Sequence, residues 1–200
     1  MRIILASSNK DKIKEIREIY NNFQVLCFDE LIPSFEIEEN GNSFKENALI
    51  KSKCVFNTLK TQNLLHKTDI VISDDSGICV DLLNGAPGIY SARYSGGNSK
   101  DNLEKLINEV KRFESQTSKA HYCACIAISS FFGDFSTHGF MHGFVIAEKR
   151  GENGFGYDPI FIPNGFNKTL AELSAQEKNQ ISHRYKALKL AKYIIEAIGN

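Results

Sequence analysis

Asp74 and Asp75 are adjacent carboxylates in the stretch Ser73-Asp74-Asp75-Ser76-Gly77. The run Asp69-Ile70-Val71-Ile72 precedes them and reads as a short buried strand. The pair therefore falls where a strand ends and a Gly-containing turn begins, which in an α/β protein is the sheet edge that binds ligands. Carboxylates in that position suit a hard cation such as Mg²⁺, and the cation in turn suits a phosphate-bearing substrate. The plainer alternative is a solvated turn, for which Asp, Ser and Gly are ordinary residues.

Five other groups carry similar chemistry. Ser7-Ser8-Asn9-Lys10-Asp11-Lys12 links a first strand to a first helix, so loop amides, a helix N-terminus and two lysines could meet an anion. It is not a Walker A loop, and a polar connection is its plain alternative. Lys51 falls about 20° from Phe44 and about 40° from Val55 on a helical wheel, inside the apolar stripe, while Lys53 lies opposite. Such a lysine either snorkels to water or points at an anion. Glu38-Glu39-Asn40-Gly41 is a second acidic pair just before that helix, able to hold Mg²⁺ jointly with the aspartates or merely to favour the helix dipole. Gly154-Phe155-Gly156-Tyr157-Asp158-Pro159 sets an aromatic ring between glycines, for stacking on a flat base or for closing over the core. Last, Ser182-His183-Arg184 puts cations in the first turn of a helix, against its dipole, with Lys178 upstream.

The elements that must position these groups alternate in type. Strands are predicted at residues 2–6, 25–28, 69–73 and 160–162, with a further apolar piece at 78–83. A first helix should run from the polar loop to about Phe23. A capping box, Ser43 with Glu46, opens a second helix with Phe44, Ala48, Val55 and Leu59 as its apolar stripe. Residues 101–113 suggest a third helix, and 121–129 with 135–147 a hairpin turning at Gly133-Asp134. Thr169 with Glu172 opens a short helix, and Ser182 caps a terminal one. The hairpin makes the sheet mixed, so the expected class is α/β, a mixed sheet flanked by helices in a single domain over residues 1–200.

Composition narrows the function classes. The 200 residues carry 24 basic and 24 acidic side chains, and this zero balance argues against a nucleic-acid partner. No run reaches transmembrane length and no signal peptide is visible, which argues against a membrane partner. Five cysteines, odd in number and scattered, read as reduced thiols of a cytoplasmic protein. His121, Cys123 and Cys125 share a strand face but lack a second ligand cluster and read as buried small residues.

Taken in order, LASSNKDK, EENGNSFKENALIK, SDDSGICVDLLNGAPGIYSARYSG, GFGYDPIF and EKNQISHRYKALKL resemble the inosine triphosphate pyrophosphatase family. The resemblance runs from Leu5 to about Leu190 and is nearest the bacterial dITP/XTP pyrophosphatases. It implies an elongated mixed sheet in two lobes with an active-site cleft between them, a homodimer, and purine nucleoside triphosphates as small-molecule substrates. By the same resemblance Ser7, Ser8, Asn9, Lys10, Asp11 and Lys12, with Lys51, hold the triphosphate. Glu39 and Asp75 bind Mg²⁺, with Glu38 and Asp74 nearby. Asp75 also accepts the proton of the attacking water, and Ser76 touches substrate. Phe155 stacks on the base, and Gly156, Tyr157, Asp158, Lys178, His183 and Arg184 complete its pocket. The chain departs from the family in having Ser7-Ser8 where Thr-Gly is usual.

The implied reaction converts a nucleoside triphosphate and water to the monophosphate and pyrophosphate. Two rivals remain from the residues themselves. A phosphatase with an aspartate nucleophile would release orthophosphate, and the Asp-x-Asp arrangement such enzymes use is missing here. A non-catalytic nucleotide binder would not need Asp75.

Overall fold

Arg2–Leu5 forms the first strand, β1, because four consecutive residues with three buried apolar side chains suit a strand covered on both faces. The computed structural model describes residues 1–7 and 9–199, without the side chains of Lys10 and Asp11. The order continues as α1 (Lys10–Ile19), β2 (Gln24–Cys27), α2 (Phe44–Thr61), β3 (Ile70–Val80), α3 (Ser99–Val110), β4 (Thr117–Ser130), β5 (Gly133–Ile146), β6 (Phe161–Pro163), α4 (Ala175–Ile181) and α5 (His183–Gly199). Among the described residues six strands lie in the order β2-β1-β3-β4-β5-β6. β1 is parallel to β2 and β3, and β5 is antiparallel to β6, so the sheet is mixed, as the sequence pattern implies.

The chain resolves into two compact units. The first holds Met1–Asp75, Ala124–Gly139 and Arg184–Asn200. Its register pairs Ile3 with Ile70 and Leu5 with Ile72. Side chains alternate between the faces of a strand. Ile3, Leu5, Ile70 and Ile72 accordingly pack with Ile16 and Tyr20 of α1 and with Ala187, Leu188, Ala191 and Ile195 of α5. Ile4 and Val71 face the other way, onto Val55, Phe56 and Leu59 of α2. The second unit, Ser76–Cys123 with Phe140–His183, has its own core, in which Leu103, Leu106 and Val110 of α3 meet Ile78, Tyr122, Val145 and Phe161.

Several expected boundaries move. The acidic stretch is not a turn: β3 continues through Asp74-Asp75-Ser76-Gly77 to Val80. Asp, Ser and Gly are poor strand formers in isolation, but pairing and burial in the middle of a sheet override that preference. The second strand ends at Cys27, and Phe28 opens a 3-10 turn. The first helix stops at Ile19, ahead of Asn21-Asn22, whose side chains favour turns; Tyr20 and Phe23 still pack on the core. The hairpin turns at Phe131-Phe132, and Gly133 begins β5 at φ +124°, a conformation that accounts for the glycine without making it the tip. Thr169 heads only a 3-10 turn; the helix proper, α4, is capped by Ser174 and ends at Ser182, and the terminal helix α5 begins directly after Ser182, as expected. Ser43 caps α2 by accepting from the Glu46 amide at 3.1 Å, but the Glu46 carboxylate accepts from the Asn42 amide instead of closing the box on Ser43.

Candidate active site

Strand alternation gives Asp74 and Asp75 opposite faces of β3. Asp74 follows Ile70 and Ile72 onto the α1 and α5 side. There its Oδ2 meets Lys12 Nζ at 2.5 Å and Arg184 Nε at 3.4 Å. Arg184 Nη1 also donates to Glu15 Oε2 at 2.8 Å. Lys12 and Glu15 stand three residues apart on α1, so one helix face supplies a cation and an anion to the same cluster. Asp74 is 3% exposed. Burial alone would raise its carboxyl, but Lys12 and Arg184 outweigh burial and hold it far below the ordinary carboxylate range. Burial would likewise lower the Arg184 guanidinium, and Asp74 and Glu15 reverse that and raise it. The cations that the helix dipole disfavours at the start of α5 thus include one with two carboxylate partners.

Asp75 follows Val71 and Ser73 onto the α2 side. The Ser73 hydroxyl donates to the Ala48 carbonyl at 2.5 Å, fixing α2 against the strand. One turn further on, Lys51 Nζ donates to Glu39 Oε2 at 3.0 Å and to Asp75 Oδ1 at 3.4 Å. The Lys51 side chain is 12% exposed, whereas that of Lys53 is 50% exposed and pairs with Asp134. Asp75 is 8% exposed, and its pKa is raised by burial, then opposed by Lys51 and reinforced by Glu39. The loop bearing Glu39 is held from behind, because the Gly41 amide donates to the buried Asn47 Oδ1 at 2.8 Å. A Cβ on Gly41 would approach Glu46 Cβ to 2.6 Å and Asn47 Oδ1 to 2.8 Å, so this close passage needs glycine.

At the head of α1 the Asn9 side chain accepts from the Lys12 amide at 3.1 Å, and Ser7 Oγ accepts from the Asn9 amide at 3.2 Å. Ser8, and the side chains of Lys10 and Asp11, lie outside the described residues.

The remaining predicted residues belong, with the exception of Arg184, to the second unit. Asp158 is buried and organises the glycine loop: its Oδ2 accepts from the Phe155 amide at 2.9 Å and from Lys178 Nζ at 2.5 Å. Lys178 also stands 4.4 Å from the Phe155 ring centroid, a cation–π distance. Gly154 has φ +80°, and a Cβ there would meet Asp158 Oδ2 at 2.1 Å, so two constraints require glycine. Phe155 is 53% exposed, a large apolar ring offered to solvent. Tyr157 does the opposite: it is buried and donates its hydroxyl to the Ser91 carbonyl at 2.7 Å. Gly156 has φ +61° and lets the chain reverse between these two rings. His183 stacks on Tyr122, with centroids 4.8 Å apart and planes at 15°. Ser76 is half-buried in β3 and shares the Asp74 face of that strand by alternation.

The Ham1 family profile matches residues 3–193. The chain belongs to the Ham1 family. A dITP/XTP pyrophosphatase of Campylobacter jejuni is 58% identical over 200 residues, covering 100% of this chain and 99% of its own. One from Nautilia profundicola is 52% identical over 202 residues, covering 100% of each. Among solved structures, the Ham1 protein of Staphylococcus aureus superposes with a TM-score of 0.87 at 39% identity, covering 98% of this chain and 99% of its own. The dITP/XTP pyrophosphatase of Mycobacterium abscessus does so with a TM-score of 0.75 at 33% identity, covering 96% and 98%.

This Ham1 chain has a donor set that fits a small hard cation. Asp75 Oδ2 is buried and has no hydrogen-bond partner among the described residues. Glu39 and Asp75 are brought to a single ammonium, Lys51. Among the described residues no group of three or more His, Cys, Asp or Glu is gathered for a metal. Two carboxylates, completed by phosphate oxygens and water, suit Mg²⁺ better than a metal that needs a full protein cage. All five cysteines are free thiols, and among the described residues no helix is long and apolar enough to cross a membrane.

Three residues of these clusters escape a reading of the sequence: Glu15, Asn47 and Tyr122. Glu15 could have been flagged by its position three residues after Lys12. Asn47 and Tyr122 act through folded contacts, and their spacing carries no sign of them.

Proposed function

We propose that this chain hydrolyses non-standard purine nucleoside triphosphates (ITP, dITP and XTP) to the nucleoside monophosphate and pyrophosphate. The observation that carries the reading is the full-length likeness to the Campylobacter jejuni dITP/XTP pyrophosphatase. The chain acts as one pyrophosphatase domain in the cytoplasm, as a homodimer, without nucleic acid or membrane partners.

In this reading the backbone and side chains of residues 7–12, with Lys12 and Lys51, bind the triphosphate. A water oxygen attacks the α-phosphorus, the bond from that phosphorus to the bridging oxygen breaks, and pyrophosphate departs. Asp75 takes the proton released by the water. Its buried position within reach of Lys51 supports that role, since a base needs fixed geometry first. Lys12 and Lys51 stabilise charge that develops on the departing phosphates. Mg²⁺ held by Glu39 and Asp75 would neutralise phosphate charge and orient the reacting oxygens. Asp74 keeps Lys12 and Arg184 in place.

On the base side, Phe155 stacks on the purine while Lys178, His183 and Arg184 supply donors for a 6-oxo group. An adenine amino group would leave such donors unpaired, at about 1–3 kcal/mol each. Purified protein with Mg²⁺ should release pyrophosphate from ITP, dITP and XTP much faster than from ATP. Orthophosphate as the first product, with no contaminating pyrophosphatase, would overturn the assignment.

A further inference from the structure

The second unit contains a ladder of three rings. Phe161 is fully buried and packs on Tyr122 in an inclined, edge-to-face-type pair, with centroids 4.8 Å apart and planes at 64°. Tyr122 is 8% exposed and lies flat against His183, at 4.8 Å and 15°. Tyr122 is thus packed in the core and stacks its ring plane against His183. An imidazole on the first residue of a helix has two rotatable bonds, and backbone geometry alone leaves its ring plane undetermined. Stacking on a rigid, buried ring removes that freedom and fixes the direction in which the imidazole edge points.

We propose that Tyr122 is a positioning residue for purine selectivity, holding the His183 imidazole edge-on toward the base. The inference rests on His183 being a base contact, as in the reading above. The ring is what matters. The hydroxyl plays no part in stacking, so phenylalanine should substitute and an aliphatic side chain should not. Without the ring, His183 loses the stacking that orients its plane, and a 6-oxo purine loses a pre-oriented donor that adenine never used.

The test uses the full-length protein and three variants: Tyr122→Phe, Tyr122→Leu and Tyr122→Met, the last filling the site with an unbranched, adaptable chain should Leu fail to fold. Histidine ring protons are followed by NMR, with the His183 signals assigned by His183→Asn. The ring current of Tyr122 should place them upfield in wild type and Tyr122→Phe, and they should move downfield in the Leu and Met variants. In parallel, KM for ITP should rise about tenfold in Leu and Met with kcat nearly unchanged, lowering the ITP-to-ATP ratio of kcat/KM, while Tyr122→Phe keeps the wild-type ratio. His183 signals that do not move, or that move with KM and the ratio unchanged, overturn the proposal. Wild-type protein that releases no pyrophosphate from ITP would overturn the reading above and this inference together. Normal wild-type turnover with unaltered Leu and Met kinetics overturns this inference alone.

Discussion

The carboxylates of β3 and the glycine loop around Phe155 hold functional side chains by opposite means. In β3 the sheet register sets direction: successive residues face opposite sides, and each aspartate meets its own cations, Lys12 and Arg184 for Asp74, Lys51 for Asp75. Every partner there is charged and largely buried, so no member can be removed without stranding another. Around Phe155 direction comes from backbone reversals at Gly154 and Gly156 and from one buried carboxylate, Asp158, which ties the loop amide to Lys178. The Phe155 ring stands out in solvent. Charge fixed by a sheet serves stability as well as rate, whereas a ring carried on a loop can be altered with little effect on the fold.

The contrast is broken most sharply at the two aspartates themselves. Asp75→Asn keeps an acceptor for Lys51 and the shape of the site, so the protein should stay folded. Turnover should fall by about 10²–10⁴-fold from loss of the base alone. Asp74→Asn should instead leave Lys12 and Arg184 facing a neutral amide, costing about 3–5 kcal/mol of stability, the usual consequence of breaking a buried pair. Denaturant midpoints and single-turnover rates on both variants separate the two effects. Equal stability losses would mean that the faces of β3 are not divided as their contacts suggest.

A second, smaller effect sharpens the division along α2. Lys51→Ala removes an ammonium shared by Glu39 and Asp75, and should lower kcat/KM for ITP by roughly ten- to a hundredfold, as expected for one charged hydrogen bond. Lys53→Ala removes a half-exposed partner of Asp134, a surface pair worth about 0–1 kcal/mol, and should leave the rate within about twofold. Steady-state kinetics at fixed Mg²⁺ decide it. Matching losses would place Lys51 outside the phosphate site.

Sequence periodicity was enough to separate Lys51 from Lys53 and to locate α2, because a helix imposes a fixed angle per residue on its side chains. The mixed sheet and its helices were legible for the same reason. The course of β3 was not. Asp-Asp-Ser-Gly has the composition of a turn, and only pairing with neighbouring strands and compensation by Lys12, Arg184 and Lys51, residues scattered over the chain, makes it a strand. The partners of Arg184 were hidden likewise. Its position against the helix dipole hinted at something anionic or electron-rich bound there, whereas the groups that pair with it, Asp74 and Glu15, belong to the chain and lie 110 and 169 residues away. Stacking of His183 on Tyr122 leaves no trace in spacing at all.

Arg184 is the residue on which the two modes of support meet, and selectivity is the measurement that assigns it. It is held as the β3 cluster is held, by buried carboxylates, yet it directly follows His183 in the first turn of α5. If it also serves the base, Arg184→Ala should lower the ITP-to-ATP ratio of kcat/KM by about tenfold, since ATP never satisfied the lost donor. Phe155→Ala should act differently. Stacking is available to every purine, so KM for ITP and for ATP should rise together, by about fivefold for a loss near 1 kcal/mol, with the ratio unchanged. The melting temperature of Phe155→Ala should stay at the wild-type value because the ring is more than half exposed, while that of Arg184→Ala should drop as Asp74 and Glu15 lose their common cation. An Arg184→Ala protein that melts early but keeps its ITP-to-ATP ratio would assign Arg184 to the carboxylate cluster alone. The base would then be read by His183 and Lys178, with the ring of Phe155 supplying only the stack common to all purines.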